Sequence, residues 1–318
     1  MPLPWPEDTL PVMLAPMQGL TNRGVRDVFA NTVRPDVVFT EFVRVKPRSK
    51  RLITQADLVE ACTPSADVPL VVQVIGSAED GVVEATRELI ARGVQHINVN
   101  MGCPFGRMTS VLAGGGMFKH PETIEPMLAQ LRALVPGSLS VKTRLGIEDP
   151  RKIFEVLPAF ESAGVDFMII HSRTVKQKYT GEANHDLTRE LVEASTLPVI
   201  ANGDVCDEGR AAQVMAHTNA AGLMLGRGAI SDPRLFERIR GKAPARPSGQ
   251  ARRCELAAHL FEVLRAYEGL FYGDAQVLSK FRQLLVHVPD PELNRWIKGL
   301  KKKKRAAEVR NALAADLA

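Results

Sequence analysis

The chain has 318 residues, of which 45% are hydrophobic and 24% charged, and a formal net charge of +5. Such a composition excludes wholesale disorder and suffices for a full core, and no apolar run approaches the roughly 20 residues of a membrane span. The charge is uneven: residues 238–318 hold 17 Lys and Arg against 8 Asp and Glu, leaving the rest mildly acidic, which fits either a polyanionic partner at the C-terminal part or a solvated helix face.

In chain order, the start (MPLPWPEDTLP) has neither a basic stretch nor an apolar signal core, so a cytoplasmic protein without a membrane anchor is expected. Val- and Ile-rich runs then recur at 12–16, 37–42, 70–76, 96–101, 139–145, 167–171, 198–202 and 222–225. Continuous apolar runs of this length suit strands buried on both faces of a parallel sheet. Helical stretches lie between them. Residues 79–92 place Val82, Val83, Thr86, Leu89 and Ile90 on one side, with Ser77 as the expected cap. Pro121 opens the next helix, and Gly93 and Gly164 end helices just before strands. Eight strand–helix repeats within residues 1–240 predict an α/β chain, a (β/α)8 TIM barrel. An open doubly wound sheet is disfavoured by the strand count and by the lack of a GxGxxG after the first strand. Residues 241–251 read as a linker, and 252–318 as a small helical domain whose last helical stretch carries the run KKKKR at 301–305.

A barrel of this kind places its chemistry at the C-terminal ends of its strands. Asn202-Gly203-Asp204 and Gly226-Arg227-Gly228 end the last two strands, where backbone N–H groups and an arginine suit a phosphate. Lys142 on a barrel strand calls for an anion, either a ligand or a carboxylate such as Glu41. Gln73 both donates and accepts. His171 with Arg173 beside it suits a phosphate or a substrate. The four cysteines lack CxxC spacing, which argues against zinc, any other metal and disulfides. Cys62, Cys206 and Cys254 are expected to be buried hydrophobes. Cys103 sits past a strand end in a Gly/Pro-rich loop, where a thiol can serve as acid or nucleophile and Gly114–Gly116 can let a lid move.

Together APMQGLTN (15–22), VQVIG (72–76), NVNMGCP (98–104), VKTRLG (141–146), IIHSRT (169–174), IANGD (200–204) and LGRGA (225–229) resemble the tRNA-dihydrouridine synthases. TEFVRV (40–45) is most similar to the C branch of the bacterial enzymes, which acts on uridine 16 of the D-loop. The resemblance implies an FMN-dependent, NADPH-using reductase of uridine in tRNA. It implies that FMN is held by Pro16, Met17, Gln18, Gln73, Lys142, His171, Asn202, Gly203, Asp204, Gly226 and Arg227. Asn100 and Arg144 would meet the uracil, Arg44 and Tyr179 the tRNA, and Cys103 would be the general acid. Reduction of the C5–C6 bond needs a hydride at C6, from reduced FMN, and a proton at C5, which a thiol gives up more readily than a hydroxyl. A base taken out of its stack and a basic helical tail fit that task. The loop Phe105-Gly106-Arg107-Met108 departs from the usual Ser-Lys-x-Val of the family. A monomer is expected. The alternative is another FMN barrel reductase acting on a small molecule, which would leave the basic tail without a task.

Overall fold

The computed structural model describes residues 3–47, 49–104 and 112–317; the atypical loop at 105–108 lies outside them. Nine parallel strands form one sheet: β1 (Val12–Leu14), β2 (Val37–Phe39), β3 (Val43–Arg44), β4 (Leu70–Ile75), β5 (His96–Met101), β6 (Leu139–Arg144), β7 (Phe167–His171), β8 (Val199–Asn202) and β9 (Gly222–Leu225). β1 pairs with both β2 and β9, and β2 pairs with β4. The ring therefore closes on eight staves, a TIM barrel, each at a position expected from its apolar run. β3 is the addition: it pairs only with the end of β4, Val43 opposite Val74 and Arg44 opposite Ile75.

The runs are apolar throughout because both faces are covered. Met13, Val37, Phe39, Val71, Phe167, Ile169, Ile200 and Met224 pack inside the barrel, with Trp5 set edge-on against Phe167 at 4.7 Å between ring centroids. Their neighbours along each strand face the outer helices, which in chain order are α1 (Arg23–Thr32), α2 (Gln55–Cys62), α3 (Val82–Ala91), α4 (Ile124–Arg132), α5 (Lys152–Ser162), α6 (His185–Ala194), α7 (Glu208–Thr218), α8 (Arg227–Ser231) and α9 (Leu235–Ile239). Gly93 and Gly164 take φ of +92° and +74°, as helix ends before strands require. Helix α3 (Val82–Ala91) starts later than its pattern suggests. Ser77 does not cap it; its hydroxyl accepts from the N–H of Asp80 at 3.2 Å and so closes the turn before the helix. Pro121 opens a single 3-10 turn, Pro121–Thr123, that leads into α4 (Ile124–Arg132).

Beyond the barrel, residues 241–248 are non-helical, and α10 (Gly249–Leu270), α11 (Gly273–Val286), α12 (Asn294–Lys302) and α13 (Ala306–Ala314) follow. These helices share one apolar core with the barrel. Leu256, Leu260 and Leu264 of α10 join Val25 and Phe29 of α1 (Arg23–Thr32), at about 1.5–3 kcal/mol for each fully buried side chain. A buried ion network reinforces the seam: Arg238 meets Asp232 at 2.5 Å and Glu255 at 2.8 Å, and Arg252 meets Asp290 at 3.4 Å. The run at 301–305 is not one helical stretch. Lys301 and Lys302 end α12, and Lys303–Arg305 bridge to α13. Arg282 caps that break from the surface by donating to the carbonyls of Lys301 (2.9 Å) and Lys303 (2.7 Å).

Candidate active site

Strand register assembles the rim. Arg144, His171 and Asn202 stand opposite one another on β6, β7 and β8, and Asn100 stands opposite Lys142 on β5 and β6. Two adjoining clefts open there. The larger, about 460 Å³, is lined by Gln18, Asn100, Cys103, Arg144 and others; the smaller, about 100 Å³, by Asn202, Gly203, Asp204 and Gly226 among others. Pro16, Met17, Lys142, His171, Tyr179 and Arg227 line both. Of the residues singled out from the sequence for a ligand, Gln73, Arg44 and Arg173 do not line either cleft.

Gln73 is buried beneath the rim in a polar ladder. Its amide donates to Asn98 Oδ1 at 2.8 Å and its carbonyl accepts from Asn100 Nδ2 at 2.8 Å, while Asn98 donates to Ser140 at 2.8 Å. Asn100 Oδ1 in turn accepts from the N–H groups of Gly102 (3.1 Å) and Cys103 (3.0 Å). A fixed side-chain chain inside the barrel thus sets the backbone that carries the thiol, with Phe42 packed beside it. The glycines behind Cys103 form no open lid. They lie buried in a 3-10 helix, Gly114–Lys119, and a Cβ on Gly115 would meet Val175 at 2.6 Å.

Lys142 does not pair with Glu41. Its Nζ donates to Asn202 Oδ1 at 3.0 Å, and burial, with Arg144 nearby, lowers its pKa to about 7. Glu41 accepts instead from the N–H of Gly19 at 2.8 Å and shapes the loop after β1. Arg144, lowered to about 10 by burial, donates to the carbonyls of Thr174 (2.9 Å) and Lys178 (2.7 Å). Its guanidinium and that of Arg227 lie 5.5 and 4.9 Å from the centre of the Tyr179 ring. Burial and the surrounding cations keep His171 neutral.

Arg173 faces inward. It is 2% exposed, donates to His171 Nε2 at 3.0 Å, and pairs with Asp204 Oδ2 at 2.6 Å, so it orients the site rather than meeting a ligand. Asp204 also accepts from the N–H of Ala183 at 2.7 Å, which turns that carboxylate toward the protein. Gly203 has φ +126°, and a Cβ there would press on Ala183 and on the His171 ring. Gly226 differs: its nearest neighbour is Met17 Sδ at 3.5 Å, so the space beside it belongs to the cleft. Two side-chain-free glycines, a partly exposed Arg227 and the Lys142 ammonium form a cradle suited to a phosphate and to an electron-accepting ring with anionic character. FMN has both features, and the donor set fits it.

Three features escaped sequence reasoning. His287, after α11, lines the larger cleft, although nothing in its local sequence marks it. Cys206 is exposed and lines the smaller cleft, and Cys62 is exposed as well, so neither is a buried hydrophobe. Gln283 of α11 abuts Gly19, where any Cβ would collide with it. Arg44 is exposed on β3. Among the described residues, no group of three or more His, Cys, Asp or Glu is placed to hold a metal ion, and no helix is long and apolar enough to cross a membrane.

A closed parallel barrel with an anion cradle and a polar cleft at its C-terminal rim is the architecture of a TIM-barrel ligand site. The fold is similar to that of histamine dehydrogenase from Rhizobium sp. 4-9 (TM-score 0.59, 12% identity, covering 80% of this chain and 49% of that one). It is also similar to morphinone reductase in complex with tetrahydroNAD (TM-score 0.53, 14% identity, 79% and 93% covered). The dihydrouridine synthase (Dus) family model matches residues 13–317. Similar proteins include tRNA-dihydrouridine(16) synthase of Cupriavidus necator, 32% identical over 75% of this chain and 76% of its own. Another is tRNA-dihydrouridine synthase B of Yersinia pestis, 28% identical over 96% and 97%. The chain belongs to the dihydrouridine synthase family.

Proposed function

We propose that this protein reduces a uridine of tRNA, uridine 16 of the D-loop, to 5,6-dihydrouridine, with FMN as cofactor and NADPH as the source of hydride. When bound, FMN carries that hydride to C6 of the uracil. The observation that carries the reading is the meeting of Cys103, Lys142 and Arg144 in one cleft bounded by the basic helical region. In this reading Cys103 gives its proton to C5 and regains one from water. Asn100 fixes the thiol's loop, and Arg144 orients the base through its carbonyl oxygens. The flavin is held through Pro16, Met17, Gln18, Lys142, His171, Asn202, Gly203, Asp204, Gly226 and Arg227, with Gln73 supporting Asn100 from below. In this reading Tyr179 and Arg44 meet the tRNA, and both are exposed.

Choice of uridine 16 is supported by TEFVRV at 40–45, the segment that builds β3 and sets Arg44 on the rim. We propose that the enzyme works as a monomer in the cytoplasm, where tRNA resides. The test is a map of dihydrouridine in tRNA from a strain lacking the protein. Loss of the modification at position 16, restored by wild type and not by Cys103→Ala, is the expected result; an unchanged map would overturn the assignment.

A further inference from the structure

One wall of the smaller cleft is the turn after β8, Gly203 to Cys206. Its backbone is unusual, since Gly203 and Asp204 both have positive φ, +126° and +53°. The start of α6 holds this turn from behind. The Ala183 N–H donates to Asp204 Oδ2 at 2.7 Å, and His185 Nε2 lies 3.1 Å from the carbonyl oxygen of Gly203. A carbonyl oxygen only accepts, so Nε2 carries the proton and Nδ1 is the acceptor. Nδ1 finds its donor in the Thr188 hydroxyl at 3.3 Å, and that hydroxyl also meets the hydroxyl of Ser172. His185 is 6% exposed, Thr188 and Ser172 are buried, and none of the three lines the cleft. One directed chain thus runs behind the wall, from Ser172 through Thr188 and His185 to Gly203. A trans peptide sets its N–H opposite its C=O, and no peptide among the described residues is cis. With the Gly203 carbonyl turned to His185, the Asp204 N–H faces the cleft side, and among the described residues no protein acceptor meets it.

We propose that His185 is a positioning residue for the flavin phosphate: its Nε2–H fixes the Gly203 carbonyl outward and so presents the Asp204 N–H to the anion. This inference rests on the reading of the cradle as the FMN site. Gly203 has no Cβ to oppose rotation, so its peptide is easily turned over. Turned over, it would set a carbonyl oxygen against the phosphate and remove a donor. The imidazole prevents this before any ligand arrives, and a donor held in place beforehand needs no reorganisation when the anion binds. Burial, with Arg210 adding to it, keeps the His185 pKa below the usual histidine value despite the bond to Gly203, as the neutral tautomer of the chain requires. The task falls to a side chain that touches neither cofactor nor substrate.

The experiment titrates flavin-free wild type, His185→Phe, His185→Gln and Thr188→Val with FMN and with riboflavin, which has the same ring and no phosphate, by quenching of flavin fluorescence. Phe fills the space of the imidazole without a donor. Gln carries an amide N–H at the reach of Nε2, and Val takes away the hydroxyl that sets the tautomer. The expected result with Phe is a fall of about tenfold in the preference for FMN over riboflavin, the effect of one misplaced phosphate donor. Gln should recover most of that preference and Val lose part of it, while riboflavin affinity stays close to that of wild type. A wild-type preference in the Phe variant would overturn the proposal, as would a Gln variant no better than Phe. Equal loss of both flavins, with a lowered melting temperature, would give His185 a purely structural role and overturn it too. Should the Phe variant not fold, Thr188→Val decides, since an unchanged preference there refutes the chain. The cradle reading fails separately, if wild type itself holds riboflavin as tightly as FMN. Absence of dihydrouridine formation with the flavin preference intact would overturn the substrate, and the binding ratios would still decide on His185.

Discussion

Lys142 offers a test in which two opposite effects come from one side chain. In the flavin-free protein its ammonium is half-buried at the cleft floor with Asn202 as hydrogen-bond partner and, among the described residues, no paired carboxylate, and its pKa falls to about 7. An unfolded lysine holds its proton up to about pH 10.4. Between about pH 7 and pH 10 the unfolded chain therefore binds more protons than the folded one. Stability of the flavin-free protein then rises with pH across that window, and the penalty is fully present below it. From pH 9.5 to pH 6.5 the shift spans about 2.5 pH units at about 1.4 kcal/mol each. Water entering the open cleft screens roughly half of this, which leaves about 2 kcal/mol. Lys142→Met removes the group, so its melting temperature relative to wild type, flavin-free, should improve by about 3 °C on going from pH 9.5 to pH 6.5. The same substitution should weaken flavin retention, because the charge that burdens the empty site serves the bound anion. Calorimetry of both flavin-free proteins at the two pH values, with flavin titrations alongside, reads both effects. A difference in melting temperature that does not depend on pH would refute the reasoning.

Cys103→Ala should lower dihydrouridine formation by roughly 10²–10⁴-fold while NADPH bleaches the flavin at near the wild-type rate, as followed by stopped-flow absorbance. Full tRNA reduction by this variant would remove the thiol from the mechanism. Arg227→Ala removes a charge-assisted phosphate contact worth about 1.5–3 kcal/mol; flavin should then be lost on gel filtration or dialysis, and retention equal to wild type would misplace the cradle. Changing Lys301, Lys302, Lys303 and Lys304 to Gln should raise the KM for tRNA and flatten the dependence of binding on salt, since each neutralised phosphate releases counterions. Equal slopes for wild type and the quadruple variant would retire the run as a contact. Arg173→Gln should destabilise the fold by about 1–3 kcal/mol, because it takes the buried donor from His171 and leaves Asp204 to the Ala183 N–H and to Arg227 at 3.6 Å, and a melting temperature like that of wild type would contradict its inward role.

The staves were legible because burial on both faces writes itself as unbroken Val/Ile runs, and the polar residues ending those runs marked the rim. Direction was less legible. Gln73 and Arg173 stand near strand ends beside the rim, yet each points into a buried network, a matter of strand register and loop path rather than of residue type. The glycines at 114–116 suggested freedom and serve close packing against Val175. His287 lay beyond reach, since its place in the cleft depends on α11 folding back over a loop more than 250 residues earlier in the chain. Ser77 sat at cap spacing, but Gly81, with φ +87°, shifted the helix start past it.

The central claim is tested most directly in vitro: purified protein, FMN, NADPH and an unmodified D-loop-bearing tRNA transcript, with the product nucleotides mapped by mass spectrometry. The account predicts one uridine, at position 16, gaining two hydrogens in wild type and not in Cys103→Ala. Absence of dihydrouridine at every position, with flavin bound and reducible, would contradict it.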